Sequence, residues 1–133
     1  MDYDQYLEEC KKVKERNYFL LDLFKADLIQ SGLKDKTISR HLSNADFYIN
    51  EFLLYYDAYP MEEGLNMLDD YLGNFYIRKC LWSTPGNIKS TAASIKKFYK
   101  SMVDHGEIDK EDYYDLCSLI KDSMDIWQII PAM

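Results

Sequence analysis

Apolar side chains recur at helical spacing along the whole chain, and this periodicity is the strongest constraint on its fold. The stretch 36–57, for example, places Ile38, Leu42, Ala45, Ile49 and Phe52 three or four residues apart. Such spacing puts these residues on one face of an α-helix, whereas a half-buried strand alternates apolar and polar residues. No alternating run bounded by turn residues occurs, and helix breakers are few, with 5 Gly and 3 Pro. The sequence therefore predicts an all-α fold.

Start and stop signals divide this pattern into five segments. Gly32 and Gly106 are typical helix ends, Asp35 is a capping residue, and Pro60 and Ser83-Thr84-Pro85 are typical helix starts. The predicted helices cover 2–31, 36–57, 61–82, 85–105 and 110–127. A chain of 133 residues has the size of one domain, so we predict a single compact bundle over 1–133. The predicted core contains Leu23, Leu42, Ile49, Leu68, Leu72, Ile95, Tyr99 and Leu116.

Charge is unevenly distributed along the chain. The formal net charge of -7 argues against nucleic-acid binding, because affinity for DNA depends on neutralising phosphates. Residues 84–106, however, carry four lysines against one aspartate, whereas residues 107–133 carry seven acidic residues against two lysines. The basic segment is consistent with a phosphate-binding face, but it is equally the solvated face of an amphipathic helix. The acidic segment is either a solvated face or an intramolecular screen.

Motifs of several other protein classes are missing from the sequence. The first sixteen residues lack the apolar run of a signal peptide, and no segment is apolar enough for a membrane span, so we expect a cytoplasmic protein. Cys10, Cys80 and Cys117 are odd in number and widely spaced, which indicates reduced thiols. His41 and His105 have no nearby ligand partner, and no phosphate-binding glycine loop or nucleophile elbow is present. We therefore expect no metal, no cofactor and no enzymatic activity.

Two motifs follow one another in a defined order. The first is Gly32-Leu33-Lys34-Asp35-Lys36-Thr37-Ile38, continued by Phe47 and Phe52-Leu53. The second is Ser83-Thr84-Pro85-Gly86-Asn87-Ile88, continued by Ile95, Phe98-Tyr99, Met102-Val103 and Asp104-His105-Gly106-Glu107-Ile108. Together, over about residues 15–108, they resemble the core-binding domain of tyrosine recombinases and phage integrases. The resemblance implies a SAM-like bundle of four or five helices that forms one half of a clamp around duplex DNA.

The resemblance also implies which residues contact DNA. They lie on the helices at 36–57 and 85–105: Lys34, Lys36, Thr37, Arg40, Asn87, Lys89, Ser90, Thr91, Lys96 and Lys97. Lysine and arginine neutralise phosphates, and hydroxyl and amide groups donate hydrogen bonds to phosphate oxygens. The family's catalytic domain, with its Arg, Lys, HxxR box and Tyr nucleophile, has no counterpart here, since His105 is followed by Gly106-Glu107-Ile108. We therefore expect a non-catalytic module whose partners are duplex DNA and a recombinase catalytic subunit or another protein.

Two other functions remain open on the sequence alone. A helical protein-interaction domain could keep this fold and lose DNA binding, in which case a large exposed aromatic patch is expected. An acidic regulator that mimics DNA would use the acidic last helix, in which case an acidic face should dominate the surface. A contiguous basic face favours the DNA-binding module instead.

Overall fold

A computed structural model describes residues 2–76 and 84–129, apart from the side chains of Pro85 and Ile129. These residues are all-helical and contain no strand, as the periodicity predicts. Four of the helical elements are α1 (Tyr3–Gln30), α2 (Asp35–Asp46), α4 (Pro85–Asp104) and α5 (Lys110–Ile129). A 3-10 helix (Met61–Asn66) and the short α3 (Leu68–Asp70) lie between α2 and α4. None of these helices carries an apolar stretch long enough to cross a lipid bilayer.

A pair of hydrogen bonds defines the start of α1, and a glycine with positive φ follows its end. Asp2 accepts a hydrogen bond from the Gln5 backbone nitrogen at 2.8 Å, and the Gln5 side chain accepts one from the Asp2 nitrogen at 3.1 Å. This reciprocal pair satisfies two backbone donors that a helix start leaves unpaired. At the other end Gly32 has φ +76°, a conformation that costs glycine little and other residues more. The predicted stop at Gly32 is confirmed.

The second predicted helix differs from its prediction in two respects. Asp35 is its first helical residue rather than its cap, and Lys34 occupies the cap position without a side-chain hydrogen bond. The α-helix ends at Asp46, and the chain continues as a π-helical turn over Phe47–Phe52. Residues 53–57, which were predicted to be helical, form turns and bends. Four of the six residues in the π-turn are buried, namely Tyr48, Ile49, Asn50 and Phe52. Burial on this scale favours the wider turn, because an α-helix would direct one of these side chains away from the core.

The third predicted helix, 61–82, is not continuous. The 3-10 helix Met61–Asn66 is followed by α3 and then by a second π-helical turn, Tyr71–Phe75. Gly64 lies inside the 3-10 segment, where its low helix propensity weakens an α-helix. The two π-turns contact each other through aromatic rings, with centroid distances of 4.7 Å for Phe52 and Tyr71 and 4.9 Å for Phe52 and Phe75. Residues 77–82 of the prediction lie outside the described residues.

The last two helices agree with their predictions. Thr84 caps α4 by accepting a hydrogen bond from the Asn87 nitrogen at 3.1 Å, and Pro85 follows in the first turn. Gly106, with φ +75°, lies two residues after the end of α4, where its left-handed backbone conformation stops the helix. The acidic α5 packs along α4 and is fixed at its far end by Trp127, whose indole N–H donates to Asp69 Oδ1 at 2.8 Å.

One hydrophobic core runs through the bundle, with α4 packed against both α2 and α5. Six of the eight predicted core residues are buried: Ile49, Leu68, Leu72, Ile95, Tyr99 and Leu116. The other two, Leu23 and Leu42, are only half-buried, so their prediction as core residues is wrong. On α1, Leu23 lies beside the buried side chains of Leu20 and Phe24. On α2, Leu42 borders a surface groove and lies next to the buried His41.

Candidate nucleic-acid interface

The two helices proposed to contact DNA pack against each other through polar side chains. His41 of α2 and Ser94 of α4 are both buried, and the distance from His41 Nδ1 to Ser94 Oγ is 2.7 Å. Asn44, one turn further along α2, donates to the same Ser94 Oγ at 3.0 Å. Buried polar groups have to be paired, and these hydrogen bonds determine how α2 and α4 lie relative to each other. We call this group of His41, Asn44 and Ser94 the polar seam.

Positive charge from both helices reaches this seam. Burial lowers the pKa of His41, and the nearby positive charges of Arg40 and Lys97 lower it further. Arg40 precedes His41 on α2 and Lys97 lies one turn after Ser94 on α4, so the contact between His41 and Ser94 brings together the helix segments that carry these two residues. The fold thus brings together two of the predicted DNA contacts that lie far apart in the sequence.

Most of the other predicted contacts are exposed at the surface of the same two helices. Exposed side chains are those of Lys34, Lys36, Arg40, Asn87, Lys89, Lys96 and Lys97, and Thr37 and Ser90 are half-buried. Within the part of the chain that the structure describes, the five lysines and Arg40 have no acidic partner within salt-bridge distance. Their charge is therefore available to an external anion. Lys34, Lys36 and Lys89 lie near the starts of their helices, away from the seam.

Thr91 is the predicted contact that the structure contradicts. Its side chain is buried on the inner side of α4 and cannot reach a phosphate from there. It precedes Ser94 by three residues, a spacing that places both on the same face of the helix. The assignment of Thr91 as a DNA contact is therefore withdrawn.

A groove of about 400 Å³ borders the basic surface between α1, α4 and the start of α5. Lys96, Lys97 and Lys100 lie along it, and Lys100 is paired with Asp104 at 2.7 Å. Asp27 of α1 also lines the groove, where it accepts a hydrogen bond from Ser101 Oγ at 2.5 Å and lies 3.0 Å from His105 Nε2. Both acidic residues of the groove thus have partners, whereas Lys96 and Lys97 have no ion-pair partner among the residues that the structure describes.

Acidic residues gather in a different place. A second groove, of about 310 Å³, runs between the 3-10 helix and the start of α5. Its acidic lining residues are Glu62, Glu107, Asp109, Asp112 and Asp115. Arg16 crosses one side of this region and binds Glu62 at 2.7 Å and Glu107 at 3.2 Å. The segregation of charge along the sequence therefore persists in three dimensions.

The expectation of no metal site was based on residue spacing. Over residues 2–76 and 84–129, no three His, Cys, Asp or Glu side chains are placed to share a metal ion. Cys10 is buried, Cys117 is half-buried, and neither forms a disulfide, while Cys80 lies outside the described residues.

The polar seam is not among the functional features that the sequence patterns predict. A signal was nevertheless present, because His41 lies between Ile38 and Ala45 on the apolar face of α2, and Ser94 precedes Ile95 on that of α4. A polar residue on a buried face needs a partner from the facing element. Two such residues on two helices would have indicated that these helices are neighbours.

No family model, no curated protein and no solved structure is significantly similar to this chain.

Proposed function

We propose that this chain is a non-catalytic module that binds duplex DNA with α2 and α4, in the manner of the SAM-like core-binding domain of a tyrosine recombinase. The observation that carries the proposal is the polar seam, which joins α2 and α4, the two helices on which Arg40 and Lys97 are exposed. Cations from two helices at one seam provide a positive surface wider than either helix alone. The order of the two sequence motifs supports the same assignment.

The chemistry of the exposed residues suits the phosphate backbone rather than base recognition. Lys36, Lys89, Lys96 and Lys97 are exposed and have no acidic partner among the described residues. The start of α4, next to Lys89, adds the positive end of a helix dipole. With few phosphate contacts and a net charge of -7, the affinity should lie in the non-specific range, with Kd about 10⁻⁴–10⁻⁶ M at physiological salt.

A salt titration with a matched pair of variants tests this proposal. Duplex binding is measured by fluorescence anisotropy from about 50 to about 200 mM salt. Replacing Lys89, Lys96 and Lys97 with Gln should weaken binding and flatten the log–log salt slope by about 2–3 units, because each phosphate contact contributes about 0.9. The control variant replaces three other lysines that are exposed on α1 and α5, namely Lys11, Lys12 and Lys121. It changes the net charge equally and should leave the slope unchanged.

Two results would contradict the proposal in different ways. Absence of duplex binding by the wild type even at about 50 mM salt would exclude the DNA-binding function. Equal effects of the two triple variants would show that binding depends on net charge and that the surface assigned to α2 and α4 is wrong.

The non-catalytic part of the proposal rests on the missing catalytic set. Among 3 arginines, Arg16 is occupied by two carboxylates and Arg40 lies at the seam, while Arg78 lies outside the described residues. A recombinase catalytic subunit would then have to supply cleavage. Denaturing electrophoresis after incubation with a nicked duplex should show no covalent protein–DNA adduct. An adduct formed by the purified chain would refute this part.

A helical protein-interaction domain remains the second candidate function. The observation in its favour is a groove of about 280 Å³ lined by Leu7 and Tyr55, whose side chains are exposed, with exposed Tyr3 and Tyr56 on the same two elements. Exposed apolar residues that lie together mark interaction sites more often than isolated ones do. The acidic groove of the 3-10 helix and α5 is the corresponding feature for a DNA mimic. If the salt titration detects no duplex binding, these two functions become better supported than the DNA-binding module.

A further inference from the structure

The groove of about 400 Å³ between α1, α4 and the start of α5 has an apolar floor. Phe24 and Leu28 of α1 line it, and because both side chains are buried they lie at its bottom. Tyr113 of α5 adds a half-buried ring. Small-molecule sites have volumes of about 300–1,000 Å³ and are lined mainly by apolar and aromatic side chains. The groove therefore has the size and the floor that a small ligand requires.

Contacts between α1 and α4 hold this floor in position. The rings of Phe24 and Phe98 meet edge to face, with their centroids 5.4 Å apart. Asp27 of α1 accepts a hydrogen bond from Ser101 Oγ of α4 and lies 3.0 Å from Nε2 of His105, the residue that follows α4. The groove is thus formed in the free protein, and a ligand would not have to order it on binding.

The charged side chains that line the groove favour an anion over a cation. Lys96 and Lys97 are exposed, and over residues 2–76 and 84–129 neither has an acidic partner within salt-bridge distance. The two carboxylates of the groove are engaged instead, Asp27 as described and Asp104 by Lys100 at 2.7 Å. A negatively charged ligand group would therefore meet two free ammonium groups beside an apolar floor.

We propose that this groove binds a small organic anion with an apolar body, such as an aryl or alkyl carboxylate. The carboxylate lies at Lys96 and Lys97, and the apolar body covers Phe24 and Leu28. Both parts of the ligand are needed, because an exposed ion pair alone contributes little binding energy. This binding activity goes beyond the proposed function and does not depend on duplex binding.

Ligands of one shape and different charge separate the two contributions. Phenylbutyrate is an anion, phenylbutanol is neutral, phenylbutylamine is a cation, and acetate supplies the charge without the apolar body. Each is titrated into the protein at about 50 mM salt and followed through the amide chemical shifts in NMR spectra. Phenylbutyrate should shift the residues that line the groove, with a Kd on the order of 1 mM. Phenylbutanol should bind about 3–5-fold more weakly, and the cation and acetate should give no saturable shifts.

A first pair of variants tests the role of the two lysines. Replacing Lys96 and Lys97 with Gln should reduce the affinity for phenylbutyrate to that for phenylbutanol, because only the ion pairs are lost. The control replaces Lys11 and Lys12, which are exposed on the first half of α1 and do not line the groove. It changes the net charge equally and should leave both affinities unchanged.

A second pair of variants tests the apolar part of the groove. Ala93 lines the groove and is exposed, so Ala93→Trp should fold and place a large ring in the ligand's position. Binding of phenylbutyrate and phenylbutanol should then be lost. Ala26 is also exposed but does not line the groove, and Ala26→Trp should bind both ligands as the wild type does. Circular dichroism checks that both variants are folded.

Several results would overturn the proposal. Absence of saturable binding of phenylbutyrate to the wild type would exclude the site. Equal affinities for phenylbutyrate and phenylbutanol would exclude an anion as its ligand, and acetate binding as tightly as phenylbutyrate would exclude a role for the apolar floor. Unchanged binding to a folded Ala93→Trp protein would place the ligand elsewhere. No DNA is present in these titrations, so none of these results bears on the proposed function.

Discussion

Replacement of Gly64 by alanine is the sharpest test of the core packing. Gly64 lies in the 3-10 helix, and two buried tyrosines donate hydrogen bonds to the backbone around it. Tyr48 Oη donates to the Gly64 carbonyl oxygen and Tyr99 Oη to that of Met61, each at 2.7 Å. A Cβ atom at position 64 would overlap Tyr99 Oη and lie 2.9 Å from Tyr48 Cε2. It would therefore push both rings out of the positions that these hydrogen bonds require.

The expected loss of stability follows from these contacts. Tyr48 and Tyr99 are both 0% exposed, so neither ring has free space into which it can move. Loss of a buried hydrogen bond costs about 1–3 kcal/mol, and forcing extra volume into a packed core costs about 1–3 kcal/mol. The higher helix propensity of alanine returns at most about 1 kcal/mol. We expect Gly64→Ala to reduce the free energy of unfolding by about 2–4 kcal/mol.

Urea unfolding followed by circular dichroism measures this loss, and Gly86 supplies the control. A Cβ atom at Gly86 would meet no atom within 4 Å, so Gly86→Ala should not lower the unfolding free energy and should raise it by at most about 1 kcal/mol through its higher helix propensity. Adding Tyr99→Phe to Gly64→Ala removes the overlapping hydroxyl, and the double variant should lose at least about 1 kcal/mol less than the two single variants together. If Gly64→Ala is as stable as Gly86→Ala, the described packing around the 3-10 helix is wrong.

Three further predictions concern stability. Ile95→Ala should lower the unfolding free energy in urea by about 2–5 kcal/mol, because Ile95 is fully buried, and a loss below about 1 kcal/mol would contradict that burial. Arg16→Gln should lower the unfolding free energy by only about 0.5–1 kcal/mol, because solvent screens the partly exposed ion pairs of Arg16 with Glu62 and Glu107. Raising the salt concentration should reduce the difference in unfolding free energy between this variant and the wild type. The lowered pKa of His41 means that the unfolded chain binds more protons below about pH 6.5, so stability should fall as the pH drops from about 7 to about 5. The His41→Asn variant should show a smaller fall than the wild type over that range, and an equal fall would count against the buried neutral imidazole.

The sequence predicted those parts of the fold that depend on local chemistry. The start of α4 at Thr84 and the stops at Gly32 and Gly106 follow from capping and from backbone conformation, which neighbouring residues determine. The buried faces of α4 and α5 can also be predicted from the sequence, because Ile95, Tyr99 and Leu116 belong to apolar patterns with helical spacing.

Features that depend on contacts distant in the chain could not be predicted in this way. The two π-turns form where Phe52 and Tyr71 pack together, and periodicity within one segment does not reveal such a contact. Thr91 fits the motif of a DNA-contacting helix, but its burial depends on the elements packed around α4. The placement of Arg40 and Lys97 on neighbouring helices likewise depends on the packing of α2 against α4, which is a tertiary feature.

The π-turn at Phe47–Phe52 also determines how the chain responds to a change in length. Such a turn holds about one residue more than an α-helical turn over the same rise, so it is equivalent to a one-residue insertion in a regular helix. Deleting the exposed Glu51 would let the backbone return to α-helical geometry. The side chains after it would then keep their angular positions about the helix axis, because the deleted residue is the extra one that the wider turn accommodates, and Phe52 and Leu53 would stay in the core. This segment should therefore tolerate the loss of one residue better than a regular α-helix does.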